Sequence, residues 1–119
     1  MLVCPPIGVA TADVYRRLVV PERPRPVGPV LEALAAHDPA ALGSTLFNRL
    51  QPAAEALRPE LARVRQALED LGPLLDGHLM SGSGSAYFGL AGDRTAAEAA
   101  AQRLEAAGLG RILLASSIP

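Results

Sequence analysis

The chain has no tryptophan, and all eleven of its basic residues are arginine. Without a lysine it cannot carry a Walker A loop, whose Gly-Lys-Ser/Thr ending puts an ammonium on the phosphates. Aromatic residues make up only 3% of the chain, so there is no stacking platform for single-stranded nucleic acid, and the core has to be built from Ala, Leu and Val. A net charge of −1 gives no electrostatic case for nucleic acid either. The single cysteine, Cys4, excludes an internal disulfide and fits a reducing compartment; a buried strand thiol is expected rather than a nucleophile. His37 and His78 have no Cys or carboxylate at ligand spacing, which points to cap or surface roles and to no metal site. No apolar run approaches the ~18 residues of a membrane-spanning helix. Leu2-Val3-Cys4 is not preceded by a basic region and runs into Pro5-Pro6, so no signal peptide is read and a cytoplasmic location is expected.

What remains is a chain of 119 residues, half of them apolar, enough for one domain with a core. Leu2-Val3-Cys4 reads as a short strand. Thr11 is placed to cap a helix over Ala12–Leu18, with Val14 and Leu18 inward and Tyr15 beside that stripe. Four prolines between Pro21 and Pro29 make an extended connection. Pro29 opens a helix through Ala35. Asp38-Pro39 opens another, running toward Leu50, which Pro52 kinks or breaks. Leu61, Val64, Leu68 and Leu71 lie on one face of a helix over Glu60–Leu71 that Gly72-Pro73 stops. Thr95-Ala96-Ala97-Glu98 has capping-box spacing before an Ala-rich helix through Ala107, with Ala100, Leu104 and Ala107 on one side. Arg111–Ser116 holds a last apolar strand. Strand, helices, strand, strand, helix, strand is the order of an α+β ferredoxin-like split βαβ with a four-stranded antiparallel sheet and extra helices in the first crossover.

The chain is organised around Met80-Ser81-Gly82-Ser83-Gly84-Ser85-Ala86-Tyr87-Phe88. Gly82 and Gly84 permit positive φ, and successive N–H groups in such a loop can form an anion-binding nest. Apolar runs press in on both sides, Leu79-Met80 before and Tyr87-Phe88-Gly89-Leu90 after, which disfavours a floppy linker and predicts a connection between adjacent antiparallel strands. A strand rather than a helix follows, so the loop is not a Rossmann fingerprint. A tight hairpin without ligand and a ligand loop remain equally open on this stretch alone.

Three blocks together resemble a known family. Pro5-Pro6-Ile7-Gly8-Val9-Ala10-Thr11-Ala12-Asp13-Val14-Tyr15 resembles the segment opening the C-terminal domain of 4-diphosphocytidyl-2-C-methyl-D-erythritol kinases. Leu46-Phe47-Asn48-Arg49-Leu50-Gln51-Pro52-Ala53 resembles the central helix of that domain. Leu79–Ala86 resembles the third motif of the GHMP kinase superfamily. The resemblance implies a kinase that moves the γ-phosphoryl group of ATP, with Mg²⁺, to the tertiary hydroxyl of a cytidine-diphosphate-linked methylerythritol in non-mevalonate isoprenoid biosynthesis. It implies Thr11 and Tyr15 as substrate-binding residues, the tyrosine ring stacking on cytosine, and Ser81, Gly82, Ser83, Gly84 and Ser85 as the motif bordering the phosphates. Asn48 is expected to fix helix geometry rather than to take part in chemistry.

The family's ATP loop, catalytic Asp and nearby Lys match nothing here. The resemblance therefore covers a C-terminal domain over residues 1–119 without its N-terminal ATP-binding domain. No cofactor is expected on this chain alone, and no catalytic residue. The face left by a missing partner domain favours self-association. The alternative is a stand-alone ferredoxin-like binding or regulatory module.

Overall fold

The structure is a computed structural model and describes residues 1–117. Four strands, β1 (Leu2–Cys4), β2 (Gly77–Met80), β3 (Tyr87–Leu90) and β4 (Arg111–Leu113), form one sheet in the order β2-β3-β1-β4. All three pairings are antiparallel. Five helices fill the first crossover: α1 (Thr11–Arg16), α2 (Gly28–Ala35), α3 (Pro39–Thr45), α4 (Gln51–Leu57) and α5 (Leu61–Glu69). α6 (Arg94–Ala106) makes the second. This is the ferredoxin-like α+β architecture that the element order predicts.

Alternation along the strands sends Val3, Met80 and Tyr87 to one face, where they are fully buried against Val14, Ala54, Leu61, Val64, Leu68, Ala100 and Leu104. The expected stripe of α5 is buried in full, including Leu71 just beyond its end. On the opposite face Leu79, Phe88, Leu2 and Leu113 form one half-buried row across all four strands. Cys4 shares that side of β1, so it is half-buried rather than buried as expected.

One junction is compact in sequence. α2 ends with His37 at φ 51°, its N–H donating to the Leu34 carbonyl and that of Asp38 to the Ala33 carbonyl, the two bonds of a Schellman ending. Asp38 then turns round and accepts from the Ala41 N–H at 2.9 Å, opening α3. Asp38→Ala is expected to cost about 1 kcal/mol, the usual loss for a removed N-cap, read as a lower urea midpoint with an unchanged slope.

Four local expectations are corrected. Thr11 is not an N-cap: Ala10 takes that position without a side-chain bond, and Thr11 is the first residue of a helix that ends at Arg16. The segment from Asp38 is not helical to Leu50; α3 stops at Thr45, Leu46–Asn48 is irregular, and a turn at Arg49–Leu50 leads into α4. Pro52 does not break a helix but sits in the first turn of α4, where its missing N–H would have had no partner. Asp93, not Thr95, caps α6, accepting from the Ala96 N–H at 2.8 Å, and Ala107 lies outside the buried stripe.

Candidate functional site

β2 and β3 close at the Met80–Tyr87 pair, and residues 81–86 join them as expected. The Ser81 N–H donates to the Ala86 carbonyl at 2.8 Å and the Gly84 N–H to the Ser81 carbonyl at 3.0 Å. Gly82 has φ 55° and Gly84 φ 90°; a Cβ on Gly84 would also stand 2.9 Å from the Met80 sulfur. Both glycines are therefore demanded by conformation, the second by space as well. Among the described residues the N–H groups of Gly82 and Ser83 have no protein acceptor.

The first turn of α1 meets this loop. Thr11 Oγ1 lies 2.9 Å from Ser83 Oγ, a hydrogen bond across 72 positions of sequence. Tyr15, one turn further along α1, is 56% exposed, because Val14 alone of this helix enters the core. The structure thus brings together Thr11 and the glycine-rich loop, and leaves the Tyr15 ring in solvent on the same helix. A groove of about 480 Å³ runs past the C-terminal end of α1 between Arg17, Leu18, Arg49 and Pro52. Arg49, Pro52 and Ala53 of the second resembling block line it, but none of the expected substrate-binding or loop residues does.

Two residues that hold the loop were not among the expected site residues. Asn48, expected to fix helix geometry, lies outside any helix and donates from Nδ2 to the carbonyls of Met80 and Gly82 at 2.8 and 2.7 Å. Gln51 Oε1 accepts from the Met80 N–H at 3.0 Å. Behind them Glu55 accepts from Gln51 Nε2 at 2.9 Å and from the Tyr87 hydroxyl at 3.0 Å, and Arg65 closes the network at 3.3 Å. Burial, and then the Glu55 charge, push the Tyr87 phenol well above its ordinary value, so it stays a donor. His37 is the cap expected of it; His78 instead lies half-buried in β2, where burial holds its imidazole below the usual range. Among the described residues no three His, Cys, Asp or Glu side chains cluster closely enough to hold a metal ion. None of the described helices is long and apolar enough to cross a membrane.

Residues 30–109 match the family model for the GHMP kinase C-terminal region. The chain belongs to the GHMP kinase C-terminal family. Relatives within it are bacterial 4-diphosphocytidyl-2-C-methyl-D-erythritol kinases. The protein of that name from a Geobacillus species is 41% identical over 91 residues, 76% of this chain and 31% of the relative. That from a Nocardioides species is 38% identical over 114 residues, 92% of this chain and 38% of the relative. A crystal structure of 4-(cytidine 5'-diphospho)-2C-methyl-D-erythritol kinase superimposes with a TM-score of 0.72 at 43% identity, over 92% of this chain and 39% of that one. Homoserine kinase from Cytophaga hutchinsonii superimposes at 0.69 with 26% identity, over 88% of this chain and 35% of that one. The GHMP domain described here thus spans roughly a third of the length of the kinases it matches.

Proposed function

We propose that this chain is the substrate-side C-terminal domain of an ATP-dependent kinase acting on 4-diphosphocytidyl-2-C-methyl-D-erythritol in non-mevalonate isoprenoid biosynthesis. The observation that carries the reading is the Thr11–Ser83 hydrogen bond. It fastens the helix that carries the solvent-facing Tyr15 to a loop whose outward N–H groups are available to phosphate oxygens. A ligand with a cytosine at one end and phosphates at the other suits that pairing: a π-face for the base, backbone donors for the charge. The names of the relatives point to the same substrate.

In this reading the chain binds and orients, and the rest of the enzyme does the phosphoryl chemistry. Transfer from ATP depends on positioned phosphates and on cations that offset their charge. Mg²⁺ supplies such charge when bound, but the described residues offer it no cage. The ATP loop, the catalytic Asp and the Lys are assigned to an N-terminal kinase domain outside this chain. Val19, Val20 and Phe47 are exposed near α1 and the Asn48 turn, the Phe47 ring lying under the Arg25 and Arg49 guanidiniums at 4.5 and 5.2 Å, and this surface is where the reading places the missing domain.

The test exchanges this chain for the matching C-terminal part of the Geobacillus relative. The chain alone, with ATP, Mg²⁺ and the cytidine substrate, is expected to give no turnover above a no-protein control. The chimera is expected to phosphorylate the substrate. Turnover by the chain alone, or a folded but silent chimera, would overturn the reading; the silent chimera would favour a stand-alone binding module.

A further inference from the structure

We propose that Asn48 is a positioning residue: from behind, it sets the peptide planes of the glycine-rich loop whose front faces the substrate phosphates. The claim about the loop rests on geometry; the claim about phosphates rests on the function proposed above.

β2 is an edge strand, so one side of it has no neighbouring strand. Backbone pairs along an antiparallel ladder alternate between bonded and non-bonded. Ser81 is bonded to Ala86, so the N–H and C=O of Met80 point away from β3. Both are nevertheless satisfied: Gln51 accepts from the N–H at 3.0 Å and Asn48 donates to the C=O at 2.8 Å. Two side-chain amides do there what a further strand would do.

Asn48 then reaches past the strand to the Gly82 carbonyl at 2.7 Å. The Gly82–Ser83 peptide is not among the cis bonds of the chain, so its C=O and N–H point in opposite directions. Holding the Gly82 oxygen from behind aims the Ser83 N–H forward, on the residue whose hydroxyl meets Thr11. The same logic at Met80 turns the Ser81 N–H toward Ala86, where it is bonded at 2.8 Å. One side chain thus fixes two peptide planes of the loop.

The orientation of the amide is forced. Nδ2 faces two carbonyls, which only accept, and Oδ1 accepts from the Leu50 N–H at 2.9 Å, which only donates. Asn48→Asp keeps the shape and replaces the donor by a carboxylate oxygen facing two carbonyl oxygens. Both ends of the Asn48 amide are taken up by the Met80 and Gly82 carbonyls and the Leu50 N–H, so its effect passes through the loop.

The experiment has two readouts. In the chain alone, amide exchange at Ser81 and Gly84, the two bonded amides of the loop, is expected to speed up about tenfold in Asn48→Asp. Gly89, bonded to Met1 across the sheet, serves as the control and is expected not to change. In the chimera, KM for the cytidine substrate is expected to rise about tenfold, because the turned loop N–H groups no longer meet the phosphates of the bound substrate, while kcat stays within about threefold. If Asn48→Asp does not fold, Asn48→Ala, which removes the donor without adding charge, is read the same way. Unchanged loop exchange in a folded variant overturns the proposal. So does an unchanged KM, or a loss confined to kcat. If the parent chimera is silent, the functional reading fails, and the exchange rates still decide whether Asn48 sets the loop.

Discussion

Gly43→Ala is expected to lower the thermal midpoint of the chain by about 8 °C. A Cβ at Gly43 would lie 1.9 Å from the Asp76 carbonyl oxygen and 2.5 Å from its carbon. From the other side, a Cβ at Gly77 would stand 2.5 Å from the Gly43 Cα. α3 and β2 therefore meet backbone to backbone, and neither can swing a side chain out of the way. Overpacking of this kind costs up to about 3 kcal/mol. Ala regains about 1 kcal/mol over Gly in a helix interior, which leaves a net loss of about 2 kcal/mol. At about 4 °C per kcal/mol for a domain of this size, that gives the shift stated. Gly28→Ala is the control: it is also helical, nothing lies within 4 Å of its Cβ position, and it is expected to be neutral or slightly stabilising. A Gly43→Ala midpoint within about 2 °C of the parent would show that α3 can lift from β2 at little cost. The contact also bears on the site, because α3 leads straight into the turn that carries Asn48.

The fold was legible where the pattern is local. Short apolar runs bounded by prolines, turns and the glycine loop marked four strands, and the Leu61, Val64, Leu68 and Leu71 spacing marked the most buried helical face. Asp38-Pro39 marked a helix start because both the side-chain acceptor and the proline act within one turn. The failures come from two sources. Two valid local signals competed at the start of α6, where Asp93 and Thr95 are both good caps and the earlier one holds the Ala96 N–H. Pro52 carries the same ambiguity, since a proline that breaks a helix and one that opens a helix look alike in sequence.

The other source is distance along the chain. Thr11 reads as a cap because a hydroxyl before an apolar stripe usually is one; here its hydroxyl meets Ser83 instead. Asn48 reads as a helix residue because its partners lie 32 and 34 positions away. Nothing near Leu46–Leu50 announces that its amide is needed by another segment. The sequence singled out the front of the loop through its own Gly-Ser composition, while the clamp behind it became visible only once β2 and the turn before α4 were side by side. The same holds for Gly43 and Gly77, whose lack of a side chain matters only where α3 meets the Asp76–Gly77 backbone.

Tyr15→Ala is expected to raise KM for the cytidine substrate about 5- to 150-fold in the chimera, the range that corresponds to losing a base-stacking contact of roughly 1–3 kcal/mol. Val14 is fully buried and Tyr15, rotated about 100° from it on the helix, is 56% exposed. A residue so placed gives the core little, so Tyr15→Ala should leave the thermal midpoint of the chain nearly unchanged. Its ring stands on the helix whose first residue is bonded to Ser83, which fixes how far a base on the ring lies from phosphates at the loop. Tyr15→Phe should bind almost as the parent does, because the ring makes the contact and no hydrogen bond of the hydroxyl within the chain is at stake among the described residues. Thr11→Val separates the two halves of this argument. It keeps the shape and removes the hydroxyl that meets Ser83, so it should loosen the register between base and phosphates without removing the stacking face. Measured together, KM and thermal midpoint discriminate cleanly. A Tyr15→Ala variant that loses stability while its folded fraction keeps the parent KM would make this tyrosine a structural residue and move the cytosine elsewhere.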